Sequence, residues 1–195
     1  MKKYCLSLAI LFAIPFSLLA QNSVRVNYGA AFPKGETLRD AFQPATALGI
    51  SFLHQVPNAQ WYYGGSISHV AFTSKDDFFK DSYHTNMNLT HYVFSLRKDF
   101  KFREAHKWYI GLDAGLNHYI QKTKKNIIST EVHNTGYTTG LVIGTDWTIS
   151  QKFSFALEGS YTRSYTGNIN YNDQFSISSF KYYGLNLGLV YHLAK

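Results

Sequence analysis

The stretch WYIGLDAGLNHYI, residues 108–120, contains two interleaved sets of residues with opposite character. The set that begins with Trp108 is apolar except for His118, whereas the set that begins with Tyr109 is small or polar. A period of two is typical of a β-strand with two unlike faces. The stretch is also about twice as long as an ordinary strand of five or six residues. A long strand with one apolar face and one polar, glycine-rich face indicates a transmembrane β-barrel.

The N-terminal segment has the features of a secretory signal peptide. It begins with MKK, and residues 6–19 are apolar apart from two serines. A small residue, Ala20, ends the run, so we expect cleavage after it. The sequence therefore predicts a signal peptide over residues 1–20 and a mature domain over 21–195. The alternative, a transmembrane helix, needs roughly twenty apolar residues, and this run is shorter and contains Pro15.

Composition excludes several classes of protein. The single cysteine, Cys5, lies in the predicted signal, so the mature chain has no disulfide and its stability depends on strand pairing. Loss of Lys2 and Lys3 with the signal lowers the formal net charge from +7 to +5. No apolar run long enough for a helical span follows the signal. The positive charges are spread over connecting segments without a readout motif, which argues against nucleic-acid binding.

The rest of the chain divides into strand-like segments with the same alternation. Eight of them are predicted, over residues 24–32, 45–56, 61–72, 83–100, 108–120, 135–149, 152–163 and 180–193. The longer connecting segments, predicted as loops, cover residues 33–43, 73–82, 121–134 and 164–176. Long and short connections alternate, as in bacterial barrels whose long loops face outside and whose tight turns face the periplasm. The sequence therefore predicts an all-β fold, an eight-stranded antiparallel up-and-down transmembrane β-barrel.

The fourth predicted strand changes parity along its length. Its apolar positions run from Tyr92 to Leu96 in one half, whereas Met87 and Leu89 in the other half have the opposite parity. A β-bulge near His91 would switch the faces in this way. The alternative is that the first half of the strand lies above the membrane.

Aromatic residues on the apolar parity cluster beside the short turns. Trp61, Trp108 and Trp147 each flank a short connection, and Phe153 and Tyr191 have equivalent positions. Aromatic girdles mark the two interfaces of membrane barrels. These five residues are therefore predicted to form the periplasmic girdle.

Charged residues on the inward parity predict an ion network inside the barrel. Arg25, Asp113, Asp146 and Glu158 all have this parity near the periplasmic end, and Arg97 is a further candidate. An isolated buried charge is too costly, so these groups must be paired or hydrated. We expect Arg25 to lie within ion-pair distance of at least one of the carboxylates.

The whole mature chain resembles the small outer-membrane β-barrel families of the OmpA, OmpX and OmpW type. It is particularly similar to the "outer membrane protein β-barrel domain" proteins of Bacteroidetes, in which Gln commonly follows the cleavage site, as Gln21 does here. The resemblance implies a bacterial outer-membrane location, contact with outer-membrane lipid and lipopolysaccharide, and a monomer. No cofactor is expected, and no catalytic or metal-binding residues are assigned.

The final strand resembles the signal that the barrel-assembly machinery recognises in such proteins. The matching positions are Asn186, Gly188, Tyr191 and Leu193. The chain departs from the usual pattern because it ends in Ala194 and Lys195 and not on an aromatic residue. The resemblance implies the barrel-assembly machinery as a partner during insertion.

Few residues suggest chemistry. Some barrels of this size modify lipid with His, Ser and an acidic residue, and Ser160, Glu158 and His133 are the candidates here, but no spacing places His133 near the other two. Histidines are scattered without an H-x-H pair, so no metal site is predicted. The sequence is therefore interpreted as non-enzymatic.

A lysine cluster falls in the loop predicted over residues 121–134. Lys122, Lys124 and Lys125 could contact lipopolysaccharide phosphates, because lysine binds phosphate as a point charge. The alternative is a solvated loop.

Several functions fit the sequence. The first is a structural or interaction barrel whose external loops form a contact surface. The second is a narrow porin-like channel for small or hydrophobic solutes, although Tyr62, Tyr109 and Tyr119 on the inward parity indicate a filled interior. Further alternatives are a lipid-modifying rim enzyme and a soluble lipocalin-like binder, in which the apolar face would point inward.

Overall fold

The structure is a computed structural model that describes residues 22–57, 59–75, 83–103, 105–125, 128–170 and 176–193. The predicted signal peptide over residues 1–20, with Cys5, lies outside the described residues, as do the last two residues of the chain. No helix in this part of the chain is long and apolar enough to cross a membrane.

Eight antiparallel strands form one closed barrel. They are β1 (Asn22–Pro33), β2 (Ala45–Gln55), β3 (Trp61–Thr73), β4 (Tyr83–Arg103), β5 (His106–Lys125), β6 (Ile128–Thr148), β7 (Phe153–Asn170) and β8 (Ser176–His192). Each strand pairs with its neighbours in sequence, and β8 pairs with β1 from Tyr182↔Pro33 to His192↔Ser23. The predicted fold class is confirmed.

Alternate residues of each strand face opposite sides of the barrel wall. On β8, Leu185, Leu187 and Leu189 are 54%, 50% and 51% exposed on the outside, whereas Val190 is 2% exposed inside. Glu158 of β7 also points inward and is buried. The soluble, lipocalin-like alternative is therefore wrong, because the apolar face lies outside and the charged groups lie within.

The predicted bulge near His91 is wrong. Strand β4 stays in register with β5 from Tyr83 to Lys101, and the ladder shifts only between Lys101 and Arg103. Met87 and Leu89 point inward, as His91 does, and are almost fully buried. The parity of the apolar residues changes because the barrel interior itself is apolar at this end.

Two of the predicted loops are largely strand. Strand β5 continues to Lys125 and β6 begins at Ile128, directly opposite. Residues 121–125 and 128–134 therefore belong to two paired strands. Strands β7 and β8 likewise occupy most of residues 164–176. The sequence predicts loops for these extensions because their side chains are mostly polar. Antiparallel backbone pairing in water does not require an apolar face.

The loop predicted over residues 33–43 contains a short helix, α1 (Glu36–Ala41), that enters the mouth of the barrel. Gly35, with φ of 99°, precedes it in a backbone conformation that favours glycine. The segment is attached to the end of β3, because the Gln43 N–H donates to the Thr73 carbonyl at 2.9 Å and the Lys75 N–H donates to the Ala41 carbonyl at 2.9 Å. We call the rim that holds α1 the helix rim. The opposite rim, with residues 56–57, 59–60, 105 and 149–152, is the turn rim.

An apolar cluster fills the barrel at the helix rim. Phe42 follows α1 and packs against Phe72 and Phe180, with ring centroids 6.4 and 5.6 Å away, and the rings of Phe72 and Phe180 are 4.7 Å apart. The buried members of this lid cluster are Ala31, Leu38, Ala41, Phe42, Ala45, Val70, Phe72, Met87, Leu89, Tyr119, Phe180 and Tyr182. The short helix thus supplies the side chains that complete an apolar plug.

Removal of the Phe42 ring tests the role of this plug. We expect Phe42→Ala to lower the free energy of unfolding by about 3 kcal/mol, because it leaves a cavity beside Phe72 and Phe180. Urea unfolding in phospholipid vesicles, followed by tryptophan fluorescence, measures the change. The exposed neighbour Gln43→Ala is the control and should change stability by less than about 0.5 kcal/mol. Equal small effects of the two variants would contradict a packed lid.

Candidate functional site in the barrel lumen

Two arginines and two carboxylates meet inside the barrel near the turn rim. The Nη2 atom of Arg25 in β1 donates to both carboxylate oxygens of Asp146 in β6, at 2.8 and 3.0 Å, and the Nη1 atom lies 3.3 Å from Glu158 of β7. Arg97 of β4 lies 3.1 Å from the same Glu158 oxygen. The two arginines and Glu158 are almost fully buried. The fold thus brings together four of the five residues of the predicted ion network.

Tyr109 joins this cluster, although the sequence indicated it only as a space-filling residue. Its hydroxyl donates to Glu158 at 3.0 Å and is also hydrogen-bonded to Arg25. The guanidinium carbons of Arg25 and Arg97 lie 4.7 and 5.2 Å from its ring centroid. Its inward parity on the same strand as Asp113 was the available signal. The ring and hydroxyl add cation–π and hydrogen-bond contacts to the ion pairs.

Asp113, the fifth predicted member, is not in ion-pair contact with any described lysine or arginine. It lies on the inward face of β5, and its Oδ1 atom is buried without a hydrogen-bond partner. It lines a cavity of about 90 Å³ in the middle of the lumen. Ser51 and the Nε atom of Arg97 also line this cavity without a hydrogen-bond partner. Polar atoms of this kind bind water, and the cavity has room for several molecules.

The lumen therefore has three layers. The ion cluster lies near the turn rim, the polar cavity lies in the middle, and the lid cluster lies at the helix rim. His91 and Tyr182 border the cavity next to the lid, where the His91 ring bonds to the Ser164 hydroxyl at 2.9 Å. Tyr62 borders a second cavity of about 20 Å³ beside Arg25. Side chains thus fill both ends of the barrel.

The predicted girdle residues lie on the outer surface beside the turn rim. Trp61, Trp108, Trp147 and Phe153 are exposed, at 37–46% of their surface, and Tyr191 is half-buried against Phe153 with centroids 5.2 Å apart. All five stand at the turn-rim ends of their strands. Their arrangement is that of a ring around the barrel wall.

The predicted lysine cluster lies on a strand and not on a loop. Lys122 and Lys124 are exposed on the outward parity of β5, beyond the apolar part of the strand. Lys122 lies 3.3 Å from Glu131 of β6. The Lys125 side chain is outside the described residues.

The residues of the predicted assembly signal lie on the strand that closes the barrel. Asn186 and Gly188 face inward, and Tyr191 faces outward opposite Val24 of β1. Leu193 follows the last residue of β8.

The candidate residues for lipid chemistry do not meet. Glu158 and Ser160 face the lumen, whereas His133 is on the outward parity of β6 and lies 3.1 Å from Glu131. The barrel wall separates His133 from the other two. Within the described ranges no three His, Cys, Asp or Glu side chains group into a metal site.

The closed wall, apolar exterior and charged interior define a small eight-stranded transmembrane β-barrel. Solved structures of this fold confirm the expected resemblance. The match with Neisserial surface protein A covers 88% of this chain and 96% of that protein's chain, at 13% identity and a TM-score of 0.57. Ail of Yersinia pestis, solved with the heparin analogue sucrose octasulfate, matches over 88% and 96% at 15% identity and 0.52. The outer membrane protein OprG of Pseudomonas aeruginosa matches over 88% and 95% at 14% and 0.51. No protein-family model and no curated protein matches the chain.

Substitution of Arg25 tests the energetic role of the ion cluster. We expect Arg25→Met to lower the free energy of unfolding by about 3–5 kcal/mol, because Asp146 and Glu158 lose their shared buried cation. Urea unfolding in phospholipid vesicles measures the loss. The control is Arg39→Met, whose exposed contact with Asp40 at 3.8 Å should contribute less than about 1 kcal/mol. A loss as small as that of the control would show that the cluster does not hold the barrel together.

Proposed function

We propose that the protein is an integral outer-membrane barrel with a closed lumen and a structural or interaction role, without enzymatic activity. The observation that carries this proposal is the combination of an apolar outer wall with a lumen closed at both ends. Its contact surface is the part of the barrel that extends beyond the membrane at the helix rim. The turn rim then faces the periplasm, as the short turns of bacterial barrels do.

The height of the apolar wall supports the membrane location. On β7 the outward residues from Phe153 to Tyr161 are apolar or aromatic apart from Gly159, and the next outward residue is Arg163. The strand advances by ten residues from Phe153 to Arg163. At about 3.3 Å per residue and a tilt of about 40°, they rise about 25 Å, which matches the apolar band of outer-membrane barrels.

The layers of the lumen favour an interaction role over a channel. A conducting path would cross the lid cluster, in which Phe42, Phe72 and Phe180 pack together, and then the cluster around Arg25. Eight strands enclose a space that side chains can fill. A path for solutes would open only if the lid cluster and the ion cluster around Arg25 both separated.

The extended strands at the helix rim supply a surface for contacts. Strand β6 pairs with β7 only as far as Tyr137↔Tyr165, whereas its pairing with β5 continues to Ile128. Strands β5 and β6 therefore continue as a pair beyond Tyr137, where the pairing of β6 with β7 ends. Their outward and inward faces carry the polar side chains that water or a partner would meet.

Export and assembly follow from the same proposal. Residues 1–20 act as the signal peptide, and the barrel-assembly machinery recognises the final strand at Asn186, Gly188, Tyr191 and Leu193. Strand β8 is the last to be made and closes the wall against β1, so its recognition would precede closure. The closed wall leaves no unpaired strand edge in the membrane, which is compatible with a monomer.

Lys122, Lys124 and Lys125 are proposed to contact lipopolysaccharide beyond the apolar band. Their support is the exposure of Lys122 and Lys124 on the outward face of β5.

The first test is fractionation combined with electrophoresis and bilayer recording. We expect the full chain in the outer-membrane fraction, with faster SDS-gel migration before boiling than after, because a closed barrel resists detergent until heated. The same heat-modifiable protein, placed in planar bilayers, should give no conductance steps. Recovery from the soluble periplasm without a heat shift would refute the membrane barrel. Regular conductance steps would instead favour the porin-like alternative.

Charge reversal tests the lysine cluster. We expect Lys122→Glu, Lys124→Glu and Lys125→Glu together to raise the sensitivity of cells to detergent, because each lysine near an anionic surface contributes about 1 kcal/mol. Detergent survival and retention in the outer membrane are measured beside a reversal of Lys98 and Lys152, which lie outside the lumen at the turn rim. Unchanged survival and retention would show that the cluster is a solvated hairpin.

A further inference from the structure

Three basic residues lie side by side on the outer wall near the helix rim. Arg163 of β7 is directly opposite Lys181 of β8. Lys34 follows β1, and its backbone N–H donates to the Lys181 carbonyl at 2.8 Å, so it continues the same row. We call Lys34, Arg163 and Lys181 the basic row. Nothing in the sequence indicated it, because the three residues are far apart in the chain.

An aromatic row lies directly below the basic row. The next outward residues of the same three strands toward the turn rim are Phe32, Tyr183 and Tyr161. Phe32 lies opposite Tyr183, and Tyr183 lies opposite Tyr161. Aromatic residues at this level form the interface girdle of membrane barrels. Arg163 lies ten positions from Phe153, Lys181 lies ten from Tyr191, and Lys34 lies ten from Val24, which is opposite Tyr191. Ten positions correspond to the full height of the apolar band. The basic row therefore lies at the level of the lipid headgroups.

The aromatic rings hold the cations in place. The Lys34 ammonium lies 4.7 Å from the Tyr161 ring centroid and 4.8 Å from that of Tyr183. The Arg163 guanidinium lies 4.4 Å from the ring centroid of Tyr165, and its Nε atom is buried without a hydrogen-bond partner. These contacts orient the positive groups without neutralising them.

The basic row has no acidic partner among the described residues. Like charges directly opposite each other on neighbouring strands are destabilising, and Arg163 and Lys181 have this relation. In the lumen, by contrast, Arg25 is paired with Asp146. An anion bound at the row would offset the repulsion.

We propose that the basic row binds a phosphate group of an outer-leaflet glycolipid, with the acyl chains against the apolar wall below the aromatic row. Arg163 supplies directional N–H donors to the phosphate, and the two lysines supply point charges. The basic row is on the outward face, directly above the aromatic row and the apolar wall. This position favours a lipid over a soluble polyanion, because only a lipid has acyl chains that can pack against the wall beneath the bound phosphate. This inference rests on the proposed outer-membrane location.

The test measures binding of purified phosphorylated lipid A, and of the same lipid A without phosphate, to the full mature barrel in detergent. The variant Lys34→Gln/Arg163→Gln/Lys181→Gln is compared with Lys98→Gln/Lys152→Gln, which removes two positive charges outside the lumen at the turn rim. We expect the wild type and the turn-rim variant to bind phosphorylated lipid at least about tenfold more tightly than the basic-row variant. Dephosphorylated lipid should bind all three proteins equally weakly.

Heat-modifiable migration is measured first for each protein, so that the two proposals are separated. Loss of the heat shift in the wild type would refute the membrane barrel itself. With the heat shift intact, equal binding of phosphorylated lipid by the basic-row variant and the wild type would overturn only the present inference. Binding of soluble sucrose octasulfate to the row without preference for phosphorylated lipid would overturn it too, in favour of a soluble polyanion.

Discussion

The pairing of β8 with β1 gives every strand of the wall two neighbours. In hydrocarbon an unpaired backbone N–H or C=O costs several kcal/mol, so a sheet that enters the membrane must close on itself. Closure in turn fixes which side chains point inward, because side-chain direction alternates along each strand. The apolar exterior, the buried charges and the filled lumen of this protein all depend on that one ladder of hydrogen bonds.

The interior changes character along the barrel axis, and the change has a physical cause at each level. Near the turn rim the strands carry Arg25, Asp146 and Glu158 inward, and their mutual contacts offset the cost of burial. Near the helix rim inward residues such as Phe72 and Phe180 are apolar and need an apolar partner, which the Phe42 segment supplies. A polar cavity remains between the two clusters, where neither set of side chains reaches across.

The outer wall shows a corresponding division. Tryptophans such as Trp61 and Trp108 mark the turn rim, whereas tyrosines with adjoining cations, such as Tyr183 and Lys34, mark the helix rim. Indole and phenol rings both suit an interface, but a row of cations suits a leaflet with anionic headgroups. The two ends of the wall therefore differ in the lipid chemistry that they match.

The sequence by itself determined the strand count, the membrane-facing side and the parity of every strand except the first half of β4, because period-two alternation depends only on neighbouring residues. It also placed Arg25 and Glu158 on the inward face. Only the tertiary structure decided that Tyr109 completes their cluster, that α1 plugs the mouth, and that the basic row exists. These features join residues from distant strands, and barrel register, which sets such neighbours, depends on the closed ladder rather than on any one segment.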